Sequence, residues 1–208
     1  MKKLPLILLI IISFNIKVKA ENRADCNKMR FSWGVEWNYI ATFHTGYHLN
    51  FFSTEGYRYD IRDNWFGYHS NADFYVHGGF DLKEGRDNLS LYVGLAGAGD
   101  THKVLPVTLR YTRLFRKNRH NDRWLCFADA GSGIGLKKEI QEIAFARIGG
   151  GYRMTLSRNL CLDFLVAARM TYTHPQIVFE GNTVNLSSTN RNNAYISGIS
   201  VGMAISFN

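Results

Sequence analysis

Charged residues recur inside apolar segments of this chain, at positions that restrict the chemistry open to them. In each segment every second residue is bulky and apolar, and the charged residues occupy the other set of positions. A charge held away from water is costly unless an opposite charge pairs with it. We therefore expect an ion-pair network inside a closed structure. Its candidate members are Glu36, Asp73, Arg110, Arg147, Arg153, Asp163 and Arg169.

Two interpretations of this network are open. In the first it fills the interior and stabilises the structure, and in the second it forms a gated path for protons or small ions. Asp129 is a further candidate member, in a segment where the alternation is less clear. The expected partner of Arg169 is Asp163 or Glu36. Replacing Arg169 and its partner together by apolar residues should leave no unpaired buried charge.

One short stretch contains a base next to a nucleophile. His69, Ser70, Asn71 and Ala72 resemble the His-x-Ser-Asn-Ala stretch of the lipid A deacylase PagL. In that family one residue separates His from Ser, so both lie on the same face of a strand, whereas adjacent residues point to opposite faces. A base must reach its nucleophile within hydrogen-bond distance. We therefore predict no catalytic residue, and the sequence indicates no cofactor site and no metal site.

The end of the chain shows which environment the apolar positions face. One face of the last fourteen residues is small and neutral, without the Lys or Glu that a water-facing strand carries, so the bulky face is predicted to contact lipid. The bulky residues are Tyr195, Ile199, Val201, Met203, Ile205 and Phe207, and the small ones are Gly198, Ser200, Gly202, Ala204 and Ser206.

Eight segments alternate in this way, although the register of the fifth is ambiguous because both of its faces contain apolar residues. The connections after the second, fourth and sixth segments are short, and those after the first and seventh exceed twenty residues. Outer-membrane barrels have short periplasmic turns and longer external loops. The sequence predicts an all-β protein, an eight-stranded antiparallel up-and-down transmembrane β-barrel over residues 31–208. The segments lie near residues 31–41, 71–82, 89–96, 105–111, 124–134, 144–153, 160–172 and 195–207.

The first twenty residues are typical of a secretory signal peptide. Lys2 and Lys3 precede an apolar run, Leu4 to Ile12, that is too short for a spanning helix, and cleavage is expected near Ala20. Residues 21–30 then form a periplasmic N-terminal segment. Removal of residues 1–20 lowers the formal net charge from +8 to +4, and the remaining basic residues are spread along the chain. A nucleic-acid partner is not expected.

The long connection from residue 43 to residue 68 is rich in aromatic side chains. Such residues offer large contact areas at low cost in conformational entropy. They either form a sticky external loop or extend the first two strands beyond the membrane as an outer aromatic girdle, and the two interpretations are compatible. The residues are Tyr47, Phe51, Phe52, Tyr57, Tyr59, Trp65 and Phe66.

From about Phe31 to Asn208 the chain resembles the small outer-membrane barrels of the OmpA and OmpX kind. The resemblance implies a location in the outer membrane of a Gram-negative bacterium, contact with its lipids, and a lumen too narrow for a porin channel. We expect a non-enzymatic barrel with a structural or surface-interaction role, whose external partner is unidentified. The alternatives are a PagL-like acyl hydrolase and a secreted soluble ligand-binding barrel, which the polar inward positions Asp163 and Arg169 disfavour.

Overall fold

The computed structural model describes residues 30–53, 55–82, 86–98, 102–115, 122–135, 143–175 and 177–207. Three predicted parts of the chain lie outside these residues. They are the signal peptide, nearly all of the periplasmic segment, and most of the short connection after the fourth segment, residues 116–122. A short 3-10 turn spans Leu186–Ser188. The strands are β1 (Arg30–Phe52), β2 (Arg58–Leu82), β3 (Asp87–Ala98), β4 (His102–Leu114), β5 (Arg123–Gly135), β6 (Ile143–Ser157), β7 (Leu160–Thr173), β8 (Val178–Phe179), β9 (Asn182–Thr183) and β10 (Thr189–Phe207).

Eight of these strands close into a barrel. Each pairs with its neighbours in the order β1, β10, β7, β6, β5, β4, β3, β2 and back to β1, and every pairing is antiparallel. The other two, β8 and β9, form a separate small hairpin. The predicted fold class, an eight-stranded antiparallel up-and-down β-barrel, is confirmed.

Within the described ranges, no helix has the length and apolar character needed to cross a membrane.

The stagger of the strands determines the width of the barrel. A path that steps sideways across paired residues leaves β1 at Thr42, crosses all the other barrel strands and returns to β1 at Ser32, ten residues away. Eight strands with a stagger of this size tilt by about 35 to 45° from the barrel axis and enclose only enough room for side chains. The interior is therefore a packed core.

Alternation along each strand separates an apolar outer wall from a polar interior. Trp37, Phe74 and Val201 point outward and are half exposed, whereas Asp73 and Ser200 point inward and are buried. The same alternation resolves the ambiguous fifth segment, now β5. Its inward residues are Arg123, Leu125, Phe127 and Asp129, and its outward residues include Trp124, Cys126 and Ala128.

The connection between β1 and β2 differs from the prediction of a loop longer than twenty residues. β1 has 23 residues and β2 has 25, so the loop shrinks to a turn between Phe52 and Arg58. Nine to eleven residues suffice for a strand to cross a bilayer, so both strands continue well beyond that length. The loop prediction is wrong because strands pair through backbone hydrogen bonds with a neighbouring strand. This pairing does not need the alternating apolar face by which the strands were predicted. Strands β1 and β2 continue through most of the aromatic stretch, as the extension interpretation expects.

A second correction concerns the connection at residues 173–193. β10 begins at Thr189, earlier than predicted, and the β8 and β9 hairpin lies within the connection. The upper parts of β1, β2 and β10 form a three-stranded sheet that continues beyond the barrel, here named the β-extension: residues 44–52, 58–66 and 189–197. At its lower end, residues 194–197 of β10 also pair with β7. Bulges beside Thr42 and His44 mark its base in both pairings.

The small residues of β10 leave space for neighbouring atoms inside the barrel. A Cβ atom on Gly202 would lie 2.0 Å from Oδ1 of Asn38 and 2.6 Å from the carbonyl oxygen of Trp37. A Cβ on Gly78, whose neighbours in the sheet are outward residues, would meet only the ring of Phe31, at 3.3 Å. The small face of β10 thus makes room for side chains of the opposite and neighbouring strands.

We expect Gly202→Ala to destabilise the barrel by about 1 to 3 kcal/mol, because the added methyl group overpacks the interior. The matched control is Gly78→Ala, where the ring of Phe31 has space to move and the change is expected to stay within about 0.5 kcal/mol. The measurement is reversible urea unfolding of both variants in lipid vesicles. Equal effects of the two substitutions would contradict the assignment of Gly202 to the interior.

Candidate functional site

Four charged side chains form a closed ring across the middle of the lumen. Arg110 contacts Glu36 and Asp129, with a distance of 2.8 Å from Nη2 to Oδ2 of Asp129. Arg147 completes the ring, with Nη1 lying 3.1 Å from Glu36 Oε1 and Nη2 lying 3.0 Å from Asp129 Oδ2. None of the four residues is more than 5% exposed. Two acids and two guanidinium groups alternate, so the ring is electrically neutral.

The strand order explains how the ring forms. Arg110, Asp129 and Arg147 are direct neighbours in the register of β4, β5 and β6, so they share one row on the inner wall. Glu36 belongs to β1 on the opposite side of the barrel and reaches both arginines across the lumen. Residues separated by 74 and 111 positions in the sequence are thereby joined. The ring therefore links distant parts of the barrel wall.

Aromatic rings and an amide complete the surroundings of these charges. The Arg110 guanidinium carbon lies 4.1 Å from the ring centre of Tyr92 and 4.3 Å from that of Phe127. Asn38 donates a hydrogen bond of 2.8 Å to Glu36. Cation–π contacts are strongest where water is excluded. The aromatic residues therefore hold the arginine between them without adding another charge.

Two further ion pairs are buried in the lumen. Arg153 donates two hydrogen bonds to Asp163, at 2.7 and 2.6 Å. Arg169 pairs with Asp73 and lies over the ring of Phe145. The seven lumen residues named from the sequence, together with Asp129, are thus all placed inside the barrel and in ion pairs.

The expected partners of Arg169 are wrong. Asp163 is six residues away on the same strand, which corresponds to roughly 20 Å in an extended chain. Glu36 is already bound by Arg110 and Arg147. The sequence identified the inward charges but not their pairs, because partner choice depends on the stagger between strands.

Two small cavities lie among the described residues of the charged interior. One cavity of about 20 Å³ is lined by His77, Tyr92, Arg153 and Asp163, among other residues. Another, of about 10 Å³, lies beside Arg169. A water molecule needs about 10 to 15 Å³. The volume of each cavity thus corresponds to about one water molecule.

The β-extension is a second candidate site, with two different faces. On the outer face His48 Nε2 and Asp60 Oδ1 are 2.8 Å apart, and this hydrogen bond lowers the pKa of the Asp60 carboxyl. On the inner face Tyr47 donates a 3.0 Å hydrogen bond to Asp63, which raises the pKa of the Tyr47 hydroxyl. The side chains close to the barrel rim are therefore joined in cross-strand polar pairs.

The aromatic residues predicted for an external loop divide between these surroundings. Phe51 is buried against Phe179 of the small hairpin, at 5.5 Å between ring centres, and Phe179 also packs on Tyr59 at 4.6 Å. Tyr47 and Tyr59 are half-buried. The remaining four are exposed, namely Phe52, Tyr57, Trp65 and Phe66. Of the seven, these four offer an exposed aromatic surface.

The stretch that resembles a deacylase motif does not assemble a base and a nucleophile. Ser70 pairs with outward-facing Ala41, and His69 pairs with inward-facing Thr42, so the two side chains lie on opposite faces of β2. In the described part of the chain no cluster of His, Cys, Asp and Glu is arranged to hold a metal ion.

Some lumen residues were not identified as site residues from the sequence. Asn38 and Tyr92 alternate with apolar neighbours, so their inward direction was readable, but their contacts with Glu36 and Arg110 were not. Phe127 was missed because the register of β5 was ambiguous.

Three solved structures of outer-membrane proteins are similar to this chain to different degrees. The outer membrane protein OprG from Pseudomonas aeruginosa matches with a TM-score of 0.51 and 7% sequence identity, over 85% of this chain and 94% of that chain. Neisserial surface protein A matches with a TM-score of 0.45 and 10% identity, over 84% and 95%. The N-terminal β-barrel domain of OprF from Pseudomonas aeruginosa matches with a TM-score of 0.37 and 14% identity, over 85% and 99%.

No family model and no curated protein sequence matches the chain. The likeness to OprG is one of fold, since so few residues are identical. The closed antiparallel ring of eight strands and the inverted distribution of polar and apolar residues define the class. The chain has the fold of the small eight-stranded outer-membrane β-barrels.

We expect Arg169→Met to destabilise the barrel by about 3 to 5 kcal/mol, because Asp73 is left buried without its partner. The double variant Arg169→Met with Asp73→Leu should recover much of this loss, since no unpaired charge remains. The measurement is reversible urea unfolding in lipid vesicles.

The control for this pair is Arg169→Met with Asp163→Leu, which leaves both Asp73 and Arg153 unpaired. This variant should be less stable than Arg169→Met alone. Recovery of stability in the control variant would show that Arg169 pairs with Asp163 and that the pairing described here is incorrect.

Proposed function

We propose that this protein is a non-enzymatic outer-membrane β-barrel of a Gram-negative bacterium. Its barrel anchors the β-extension at the cell surface, where the extension makes the contacts that constitute the function. The observation that carries the proposal is the distribution of residues across the barrel wall, which is the reverse of that in a soluble protein. Apolar residues cover the outside and ion pairs fill the inside, which suits a lipid surrounding.

The outer surface of β7 and β10 shows this reversed distribution of apolar residues. Val166 and Val201 are direct neighbours in the register, and both side chains point outward and are half exposed. Phe164 and Met203 form the next outward pair along the same two strands. A soluble ligand-binding barrel would place such residues inside. The secreted soluble barrel is therefore the weaker alternative.

The lumen supports a structural role rather than an ion path. Glu36, Arg110, Asp129 and Arg147 pair with one another in a neutral ring, and each of the two cavities beside the other buried ion pairs has a volume of about one water molecule. A path for ions needs groups that exchange partners as the ion moves. A closed ring of short contacts favours the filled and rigid interior.

The non-enzymatic part of the proposal is supported by the lack of a reactive pair at the deacylase-like stretch. His69 and Ser70 lie on opposite faces of β2. A base on the inner face cannot take a proton from a hydroxyl on the outer face. The lipid-modifying enzyme is the second alternative, and no geometry in the described residues favours it.

The direction of the barrel follows from its two ends. Arg30 and Phe207 lie at the end opposite the β-extension, together with the short turn between β6 and β7. Outer-membrane barrels place short turns in the periplasm and long connections outside the cell. The β-extension therefore projects from the cell surface.

We expect Val201→Arg to destabilise the barrel by about 2 to 4 kcal/mol in lipid vesicles, because the charge is placed against the bilayer near its midplane. Val178→Arg is the matched control, since Val178 is similarly exposed but belongs to the small hairpin above the barrel. There the charge faces water, and the change should stay within about 0.5 kcal/mol. Urea unfolding measures both.

Cell fractionation provides an independent check on location. The chain should be recovered in the outer membrane and should migrate faster on a gel without heating than after heating. Recovery in the soluble periplasm, together with no effect of Val201→Arg, would favour the soluble-barrel alternative.

A glutamate-specific protease tests the orientation. Glu55 and Glu180 lie in exposed turns above the barrel, whereas Glu36 is buried in the lumen. Protease added to intact cells should cleave after Glu55 and after Glu180 and should leave Glu36 intact, as mass spectrometry of the fragments will show. Protection of both turns in intact cells, with cleavage after cell lysis, would reverse the orientation.

A further inference from the structure

One edge of the β-extension has no partner strand in the described structure. Below Asp73, β2 is hydrogen-bonded between β1 and β3, but the pairing with β3 ends at that residue. From Arg58 to Phe66, β2 pairs with β1 alone among the described residues. The backbone donors and acceptors of its other edge pair with no strand of the described residues. Such an edge is a template for a further strand.

The residues along this edge are charged in a symmetric order. Arg58, Asp60 and Arg62 follow one another on the outer face, and Tyr59, Ile61 and Asp63 alternate with them on the inner face. The Asp60 side chain is 44% exposed and the Arg62 side chain is 71% exposed. Both charges are therefore accessible to a partner.

We propose that the partner of this edge is a second copy of the chain, which adds its own β2 edge in antiparallel orientation with Ile61 opposite Ile61, and that the two copies belong to opposing membranes. The proposal rests on the proposed function, because it needs a barrel anchored in a membrane with the β-extension outside. It gives the surface-interaction role a specific occupant, a homotypic contact between two membranes.

The charge order selects this register. In an antiparallel ladder the two residues that lie opposite each other have their side chains on the same face of the sheet. Two identical strands can therefore pair symmetrically only in registers where one residue lies opposite the same residue of the other copy. With Ile61 at the centre, Asp60 faces Arg62 twice. Opposite charges across a ladder stabilise it and like charges destabilise it.

The neighbouring registers are worse. With Asp60 at the centre, Asp60 faces its own copy and Arg58 faces Arg62. With Arg62 at the centre, two arginines face each other. With Tyr59 at the centre, Arg58 does face Asp60, but the ladder then runs into the turn before Arg58 and is only three residues long. The Ile61 register extends from Arg58 to Asn64 within the strand.

The tilt of the strands determines which membranes the two copies occupy. Two barrels in the same membrane are related by an axis along the membrane normal, and strands tilted by about 35 to 45° would then cross at roughly 70 to 90°. That crossing prevents a ladder. Copies in opposing membranes are related by an axis perpendicular to the sheet, which makes the two edges antiparallel at any tilt. The geometry therefore favours contact between membranes.

Disulfide cross-linking in detergent tests the register without any membrane geometry. The three native cysteines are replaced by alanine, and Ile61→Cys is introduced. Directly opposite residues have Cα atoms about 4.5 to 5.5 Å apart, within the range of a disulfide. Oxidised Ile61→Cys should form a covalent dimer.

The control is Trp65→Cys, which lies on the same face of the same strand and is also exposed. In the proposed register its two copies are roughly 26 Å apart, so it should form no dimer. Equal dimer yields from the two variants would overturn the register. That result would leave the proposed barrel intact, since fractionation and Val201→Arg test the barrel separately.

Charge exchange distinguishes the proposed contact from a general effect on folding. Asp60→Arg in the Ile61→Cys background places like charges opposite each other twice, so the dimer yield should fall by roughly tenfold. Asp60→Arg together with Arg62→Asp restores the opposite charges and should restore the yield. Folding is monitored in every variant by the migration of unheated samples. A dimer yield that stays low in the folded variant with both Asp60→Arg and Arg62→Asp would overturn the proposal.

Vesicle tethering tests the arrangement between membranes. Phosphatidylcholine vesicles that carry the chain, with outward orientation verified by cleavage after Glu55, should aggregate with one another. The aggregation should be lost with Asp60→Arg and regained with the double charge exchange. Cross-linking of Ile61→Cys within single vesicles, without aggregation, would overturn the opposing-membrane arrangement.

Discussion

The pairing of buried charges in a closed lumen filled by side chains is the constraint on which the rest of this structure depends. An eight-stranded barrel with this stagger encloses only side chains, so a charge that points inward must find its partner among other inward side chains. Glu36, Arg110, Asp129 and Arg147 do so in a neutral ring, and Arg153 and Arg169 each hold one acid. The ring joins β1 to β4, β5 and β6, and so it holds opposite walls at a fixed distance.

Strand residues alternate between the two sides of the wall, and the outward positions between the polar inward ones are apolar. The same alternation continues into the β-extension above the bulges beside Thr42 and His44. There the apolar and charged residues serve different purposes. Phe51, Tyr59 and Phe179 pack together as a small core, and the charges of β2 remain at an accessible edge. One strand thus passes from a lipid-facing wall to a surface that suits contact with another molecule.

The prediction from the sequence succeeded where a local pattern carries the information. Period-two alternation identified the eight barrel strands and the direction of nearly every side chain in them, and it placed Glu36 and Asp73 inside. It failed at residues 43–68, because a strand above the membrane need not show the apolar face on which the pattern depends. The register of β5 was ambiguous for a related reason, since Leu125 and Phe127 are apolar and yet point into the lumen.

The sequence by itself determined the fold class, the apolar and polar faces of the strands, and the set of charges that the interior contains. Each of these follows from the order of residues along one strand. The tertiary structure alone decided that Arg169 pairs with Asp73, that Glu36 reaches across to Arg110 and Arg147, and that one edge of β2 has no partner strand among the described residues. These features depend on the stagger between strands and on where neighbouring strands end, which no single segment encodes, because they arise only when the barrel closes.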